Sequence, residues 1–180
     1  MFAIGCGATA PPPPPAPPRP VPVEPSEPTG IPAGYLDMHP VELVTLPEGA
    51  ALLVEAEGSQ LVIPIFIGGT EGMSIALRMR GEKAPRPLTH DLLDSVVHQL
   101  HGTLVKVQID ALHDDTYFGS IYVRDGHRVV RIDARPSDAI ALAIGNRVPL
   151  YVAQSVLDQA GVDRDVIKQR LVGAPPVPTL

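Results

Sequence analysis

Apolar and polar positions alternate over three short runs near the start of the folded part of the chain. "VELVTL" (Val41–Leu46), "ALLVEA" (Ala51–Ala56) and "LVIPIFI" (Leu61–Ile67) read as strands, with "PEG" and "EGSQ" as the turns between them. Pro64 lies inside the third run, so an edge strand or a bulge is expected there, because proline cannot donate to a ladder on both sides. The period then changes. In "GGTEGMSIALRMRG" the spacing of Met73, Ile75, Ala76, Leu77 and Met79 is helical, and Gly81 is a natural stop. "LTHDLLDSVVHQLHG" predicts a second helix. Thr89 is its expected N-cap, Leu88 and Leu93 a hydrophobic staple, and Asp91 a first-turn anion. Leu92, Leu93, Val96, Val97 and Leu100 form its apolar stripe, expected to face the core, and Gly102 ends it.

Three further strands follow in "TLVKVQIDAL", "YFGSIYVRD" and "HRVVRIDA", the last two joined by the hairpin signal "DG". After them come a helix in "SDAIALAIGN", a short strand in "PLYVA", a helix in "SVLDQAG" capped by Ser155, and a final helix in "DRDVIKQRLV". Hairpin, strand and helix thus occur twice in the same order. Laying Ile65 on Val130, Ile75 on Ile140 and Leu77 on Leu142 gives a displacement of 65 residues and suggests an internal duplication. The expected fold class is α+β, with two β-hairpin-strand-helix units whose mixed or antiparallel sheets are covered by helices.

Composition changes this picture only at the ends. The run "PPPPPAPPRPVPVEPSEPTGIP" holds many of the 22 prolines, which fix φ and lack an N–H. Residues 1–34 are therefore expected to be a disordered, extended tether. Residues 35–162 form the expected domain, and 163–180 a C-terminal helix with a frayed tail. The net charge of −6 disfavours a bulk electrostatic hold on DNA, and the absence of tryptophan disfavours a platform that stacks many bases. Cys6, the single cysteine, excludes an internal disulfide and a thiolate metal cluster. No apolar run is long enough for a membrane span. "AIGC" followed by the proline run is similar to a bacterial lipobox, with Cys6 as the lipidated residue. That reading needs a signal segment upstream of Met1 and would anchor the protein at the membrane; the alternative is a cytoplasmic protein with an incidental cysteine.

The junction "RIDARPSDAIALA" carries the candidate chemistry. Much of it is helix punctuation: Pro136 suits the first helical position, and Ser137 and Asp138 suit the first turn. Asp133 and Arg135 are left over. A helix N-terminus with free N–H groups, joined by the planar fork of Arg135, is also a place to hold phosphate. Asp133 and Asp138 could hold a divalent metal if they converge with a third carboxylate. His90 and Asp91 open the second helix in a comparable way, and a histidine there could be a general base or a surface residue. "GGTEG" (Gly68–Gly72) lacks the lysine of a P-loop and reads as a flexible turn. His98 and His101 share a helix but lack a third ligand.

Two segments, Arg86–Leu92 ("RPLTHDL", after Pro85) and Asp133–Ala143 ("DARPSDAIALA"), resemble the marker segments of the bifunctional nuclease (BFN) domain family. The resemblance runs from about Leu36 to Val162 and implies hydrolysis of phosphodiester bonds in RNA, DNA or both, in a self-associating α+β domain. On that reading the expected catalytic residues are Asp133, Asp138, His90 and Asp91. Arg135, Ser137 and Arg86 would bind substrate, and Asp133 and Asp138 would hold Mg or Mn. The expected partners are single-stranded nucleic acid and further copies of the chain. The alternative is a non-catalytic α+β domain that binds a ligand or a protein, with the polar junctions acting as ion pairs that join the repeats. Convergence separates the two: a nuclease site needs these groups in one open cleft, and a scaffold buries them in mutual pairs.

Overall fold

The computed structural model describes residues 21–23 and 30–172. Cys6, most of the proline run and the end of the C-terminal tail lie outside the described residues. In chain order the strands are β1 (Val21–Val23), β2 (Tyr35–Leu46), β3 (Gly49–Ala56), β4 (Leu61–Ile67), β5 (Gly102–His113), β6 (Thr116–Asp125), β7 (Arg128–Ala134), β8 (Leu150–Ala153) and β9 (Val162–Asp163). The helices are α1 (Gly69–Met79), α2 (Thr89–Gln99), α3 (Pro136–Asn146), α4 (Gln154–Ala160) and α5 (Arg164–Val172). The α+β expectation holds. All the strands join one mixed sheet in the order β1-β7-β6-β5-β8-β2-β3-β4-β9. Every neighbouring pair is antiparallel except β5 with β8. Val21–Val23, within the stretch expected as a tether, pair antiparallel with β7.

The duplication is real in the element boundaries, and its displacement is 67 rather than 65. β2 and β5 start at 35 and 102, β3 and β6 at 49 and 116, β4 and β7 at 61 and 128, and α1 and α3 at 69 and 136. Matching apolar residues misses the shift by two because alternating strands match themselves at every even step. In the sheet the two copies stand on either side of β8, which is bonded to β5 and to β2.

Hydrophobic burial explains the layers. Ile63 and Ile65 of β4, Val107 and Ile109 of β5, and Val152 of β8 meet Ile75 of α1, Ile140 of α3 and Val156 of α4 in the main core. β3 is buried on both faces: Leu52 and Val54 belong to this core, while Leu53 meets Val62 and Ile167 of α5 in a second, smaller one. α5, in the stretch expected as a C-terminal helix, thus packs on β3 and β4. Beyond Val62, β4 has no second strand partner among the described residues, which suits Pro64 as an edge residue.

Helix ends follow local chemistry, with corrections. α1 and α3 close with the same pair of bonds: Glu82 N–H to Leu77 and Gly81 N–H to Arg78 in one, Val148 N–H to Ala143 and Arg147 N–H to Ile144 in the other. Thr89 is not the N-cap of α2. The cap is Leu88, whose N–H donates to Asp91 at 2.9 Å. Nor does Ser155 cap α4, which starts one residue earlier after Ala153. Asp163 caps α5 by accepting the N–H groups of Asp165 and Val166.

The stripe of α2 is the largest departure. Leu92, Leu93, Val96 and Leu100 are 60%, 38%, 44% and 72% exposed, and the buried residue of the helix is His90. α1 and α3 already cover the sheet, so α2 lies outside them, attached through polar side chains.

Candidate functional site

Three helix starts meet at one place. Gly68 leads into α1, Leu88 into α2, and Arg135, in extended conformation, into α3 with Pro136 as the first helical residue. First-turn residues from all three project toward each other. His90 is 6% exposed. Its Nδ1 is 2.8 Å from Ser74 Oγ of α1, and its Nε2 is 3.1 Å from Asp138 Oδ1 of α3. Arg135 Nε donates to Asp138 Oδ2 at 2.8 Å, and its Nη2 donates to Glu71 Oε1 at 2.8 Å. The result is a continuous path from the surface inward: Glu71, Arg135, Asp138, His90, Ser74.

Charge states follow from these bonds. Burial pushes the Asp138 carboxyl up, but hydrogen bonds from Arg135 and His90 outweigh it and hold the group below the usual carboxylate range. Glu71 is also lowered, by its own backbone N–H and then by Arg135. Arg135 is raised by Asp138 and Glu71. An ionised carboxylate only accepts, so Nε2 of His90 carries the proton toward Asp138. In the neutral ring Nδ1 then accepts from the Ser74 hydroxyl. The order Ser–His–Asp is that of a hydrolase triad, but Ser74 is mid-helix and 3% exposed, closed to a substrate.

Of the residues expected at the site, the fold brings together His90, Asp138 and Arg135. Asp133 is elsewhere. Ile132 and Ala134 pack against the main core, so by strand alternation Asp133 points to the opposite face of β7, where it is exposed. It pairs in register with Ser120, beside a second polar group in which Asp110 accepts from Tyr35, Ser120 and Arg131. Asp91 turns away as well, accepting from Leu88 N–H and from Arg78 at 2.8 Å. The Leu88 N–H and Arg78 together hold Asp91 below the usual range. Ser137 is buried at 8% exposure, so it does not face a substrate, and Arg86 is exposed in the loop before α2.

The donors do not fit a divalent ion. Asp133 is exposed on the face of β7 away from the main core, and both oxygens of Asp138 are engaged by Arg135 and His90. Among the described residues no three His, Cys, Asp or Glu side chains are placed to share a metal. The metal pair Asp133/Asp138 expected from sequence is therefore not assembled.

Three participants were not singled out from the sequence: Glu71, Ser74 and Arg78. Arg78 is in fact 8% exposed. It donates to the Ala141 carbonyl, Asp91 and Asp94, fixing α2 one turn further along. The only sequence signal for it is Gly145: a side chain at that position would strike the Arg78 guanidinium.

No helix among the described residues is long and apolar enough to cross a membrane. The family model for the bifunctional nuclease domain matches residues 51–165. An uncharacterised protein of Mycobacterium tuberculosis is 40% identical over 111 residues, covering 62% of this chain and 65% of that protein. Bifunctional nuclease 2 of Arabidopsis thaliana is 27% identical over 109 residues, 59% of this chain and 33% of its own length. Bifunctional nuclease 1 of Oryza sativa subsp. indica is 24% identical over 119 residues, 64% of this chain and 36% of its own. The chain thus spans about two thirds of the bacterial relative and a third of the plant proteins. The matched region contains β4, the three helix starts and the whole polar path between them, and the chain belongs to the bifunctional nuclease domain family.

Proposed function

We propose that this chain hydrolyses phosphodiester bonds of single-stranded RNA or DNA where α1, α2 and α3 begin. The observation that carries the reading is Arg135: a guanidinium 67% exposed, set over an ionised carboxylate whose other partner is a buried imidazole. A backbone phosphate can exchange for Glu71 and Asp138 on the guanidinium, since a phosphodiester accepts the same bidentate fork. That exchange frees Oδ2 of Asp138 and removes the strongest influence lowering its pKa. The carboxylate becomes a better base at the moment substrate arrives. It takes a proton from the attacking water, whose oxygen bonds to phosphorus as the bond to the leaving oxygen breaks. The leaving oxygen takes its proton from solvent. Nε2–H of His90 keeps Oδ1 fixed, and Arg135 offsets charge on the phosphoryl oxygens. The net charge of −6 predicts weak binding that falls only gently with salt.

A second reading has its own observation. Every charged group on the path is already satisfied inside the molecule, as in a clamp that joins three helices of a non-catalytic binding domain. Purified full-length protein, incubated with single-stranded RNA and DNA oligonucleotides in magnesium, manganese or chelator, separates them. Cleavage that drops tenfold or more in a folded Arg135→Ala variant supports the nuclease. An inactive wild type under all conditions, or an Arg135→Ala variant of full activity, supports the clamp. The nuclease reading also includes self-association through the outward stripe of α2, because four apolar side chains on one helix face exceed the scattered exposure of a monomer surface.

A further inference from the structure

Glu71 and Asp138 hold the same place in the two copies of the repeat. The displacement of 67 residues lays the first turn of α1 on the first turn of α3 and carries residue 71 to 138. The same shift lays Gly68 on Arg135, so one repeat supplies an arginine before its helix and the other supplies none. Both carboxylates converge on the single guanidinium. Asp138 accepts from Nε and Nη2 of Arg135, and Glu71 accepts from Nη2 at 2.8 Å.

Glu71 is seated as a bound anion would be. Its carboxylate accepts its own backbone N–H at the start of α1 and faces a guanidinium that is 67% exposed. A β-carbon at Gly68 would stand 3.0 Å from Oε2, so the missing side chain leaves the carboxylate room to fold back over the helix start. Held below the usual carboxylate range, Glu71 is ionised at neutral pH, as is Asp138. Negative charge is therefore in surplus around Arg135.

We propose that Glu71 determines the specificity of this site: it occupies the place of the substrate phosphate in the free protein and confines the site to phosphodiesters within a strand, against terminal phosphate monoesters. The inference rests on the hydrolytic reading of the Arg135 site. An incoming phosphate must displace a carboxylate tethered beside the guanidinium, so every substrate competes with it. The displaced carboxylate stays on the first turn of α1, close to the phosphate that replaced it. A diester brings one negative charge to that surplus, and a monoester brings nearly two at neutral pH. Repulsion grows with the charge of the ligand, so the monoester is disfavoured more.

Kinetics of the full chain on a short single-stranded oligonucleotide, RNA or DNA as the wild type cleaves, test the proposal, with thymidine 5′-monophosphate as competitor. Glu71→Gln keeps size and hydrogen bonding and removes the charge. It should lower KM for the oligonucleotide by about threefold, with kcat no lower than wild type. The inhibition constant of the monophosphate should fall further, by about tenfold, because the same repulsion acts on twice the charge. Glu82→Gln removes an equal charge from an exposed pair with Arg80 and should match wild type in both. An unchanged KM or inhibition constant in Glu71→Gln, or the same shifts in Glu82→Gln, would overturn the role of Glu71 and leave the nuclease standing. A wild type that cleaves neither RNA nor DNA would overturn the hydrolytic reading and the role of Glu71 with it.

Discussion

Nε2 of His90 donates to Oδ1 of Asp138 across 3.1 Å, joining the first turn of α2 to the first turn of α3 from 48 residues away. Both groups are at most partly exposed, 8% and 28% for their side chains. The bond holds a helix that buries almost nothing apolar, so its loss should be felt throughout α2.

His90→Ala should therefore destabilise the fold by about 1–3 kcal/mol, because it leaves the buried Ser74 hydroxyl without its imidazole partner and Oδ1 of Asp138 with Arg135 alone. Urea unfolding with a coincident loss of helical signal checks this. A change under 0.5 kcal/mol would mean that α2 is held by something other than its polar contacts.

Acid should weaken the same junction. Asp138 and Glu71 have pKa values lowered in the folded state, so they bind protons more readily when unfolded. Their stabilisation is fully present above the ordinary carboxylate range and is lost as pH falls through the lower folded values. Melting temperature should fall as pH is taken from 5 toward 3, and Asp138→Asn should flatten that dependence. An Asp138→Asn profile parallel to wild type would remove Asp138 from the acid response.

Asp133 and Asp138 should behave differently although the sequence presents them as a pair. Asp138→Asn should cost stability and lower cleavage by tenfold or more, about 1.4 kcal/mol of barrier. Asp133→Asn, exposed on the opposite face of β7, should leave melting within the range of ordinary surface substitutions, about 0.5 kcal/mol, and cleavage unchanged. Loss of activity in Asp133→Asn would show that substrate reaches the other face of the sheet.

Leu92→Gln and Leu100→Gln replace residues 60% and 72% exposed. Each should leave the stability of the isolated chain within about 0.5 kcal/mol, against 2–5 kcal/mol for a core leucine cut to alanine. If the stripe is where copies meet, sedimentation of the double variant should show a smaller particle than wild type. A large stability loss at unchanged particle mass would restore the core-facing stripe.

Much of the local structure was legible from short-range pattern. The strands came from alternation, α1 and α3 from 3.6-residue spacing, and the stop at Gly81 from its freedom at positive φ. Pro136 at the first turn of α3 and the polar load on the helix starts were equally visible, because caps and first-turn charges act within four residues. The repeat was visible as an order of elements, but alternation cannot distinguish 65 from 67, and only the paired boundaries separated them.

Local pattern therefore fixes what a few neighbouring residues can fix: the α+β class, most of the elements, and the three polar helix starts. Long-range packing sets which of those groups meet. His90 has Asp91 beside it in sequence yet bonds to Asp138, because Leu88 N–H and Arg78 occupy Asp91. Asp133 and Asp138 are five residues apart, yet the strand pleat sends one to the far face while the helix turns the other inward. α2 carries a stripe that any helix rule would bury, and it faces out because α1 and α3 reach the sheet first. Each outcome depends on competition for a partner or a surface between segments distant in the chain, and that competition has no local signature.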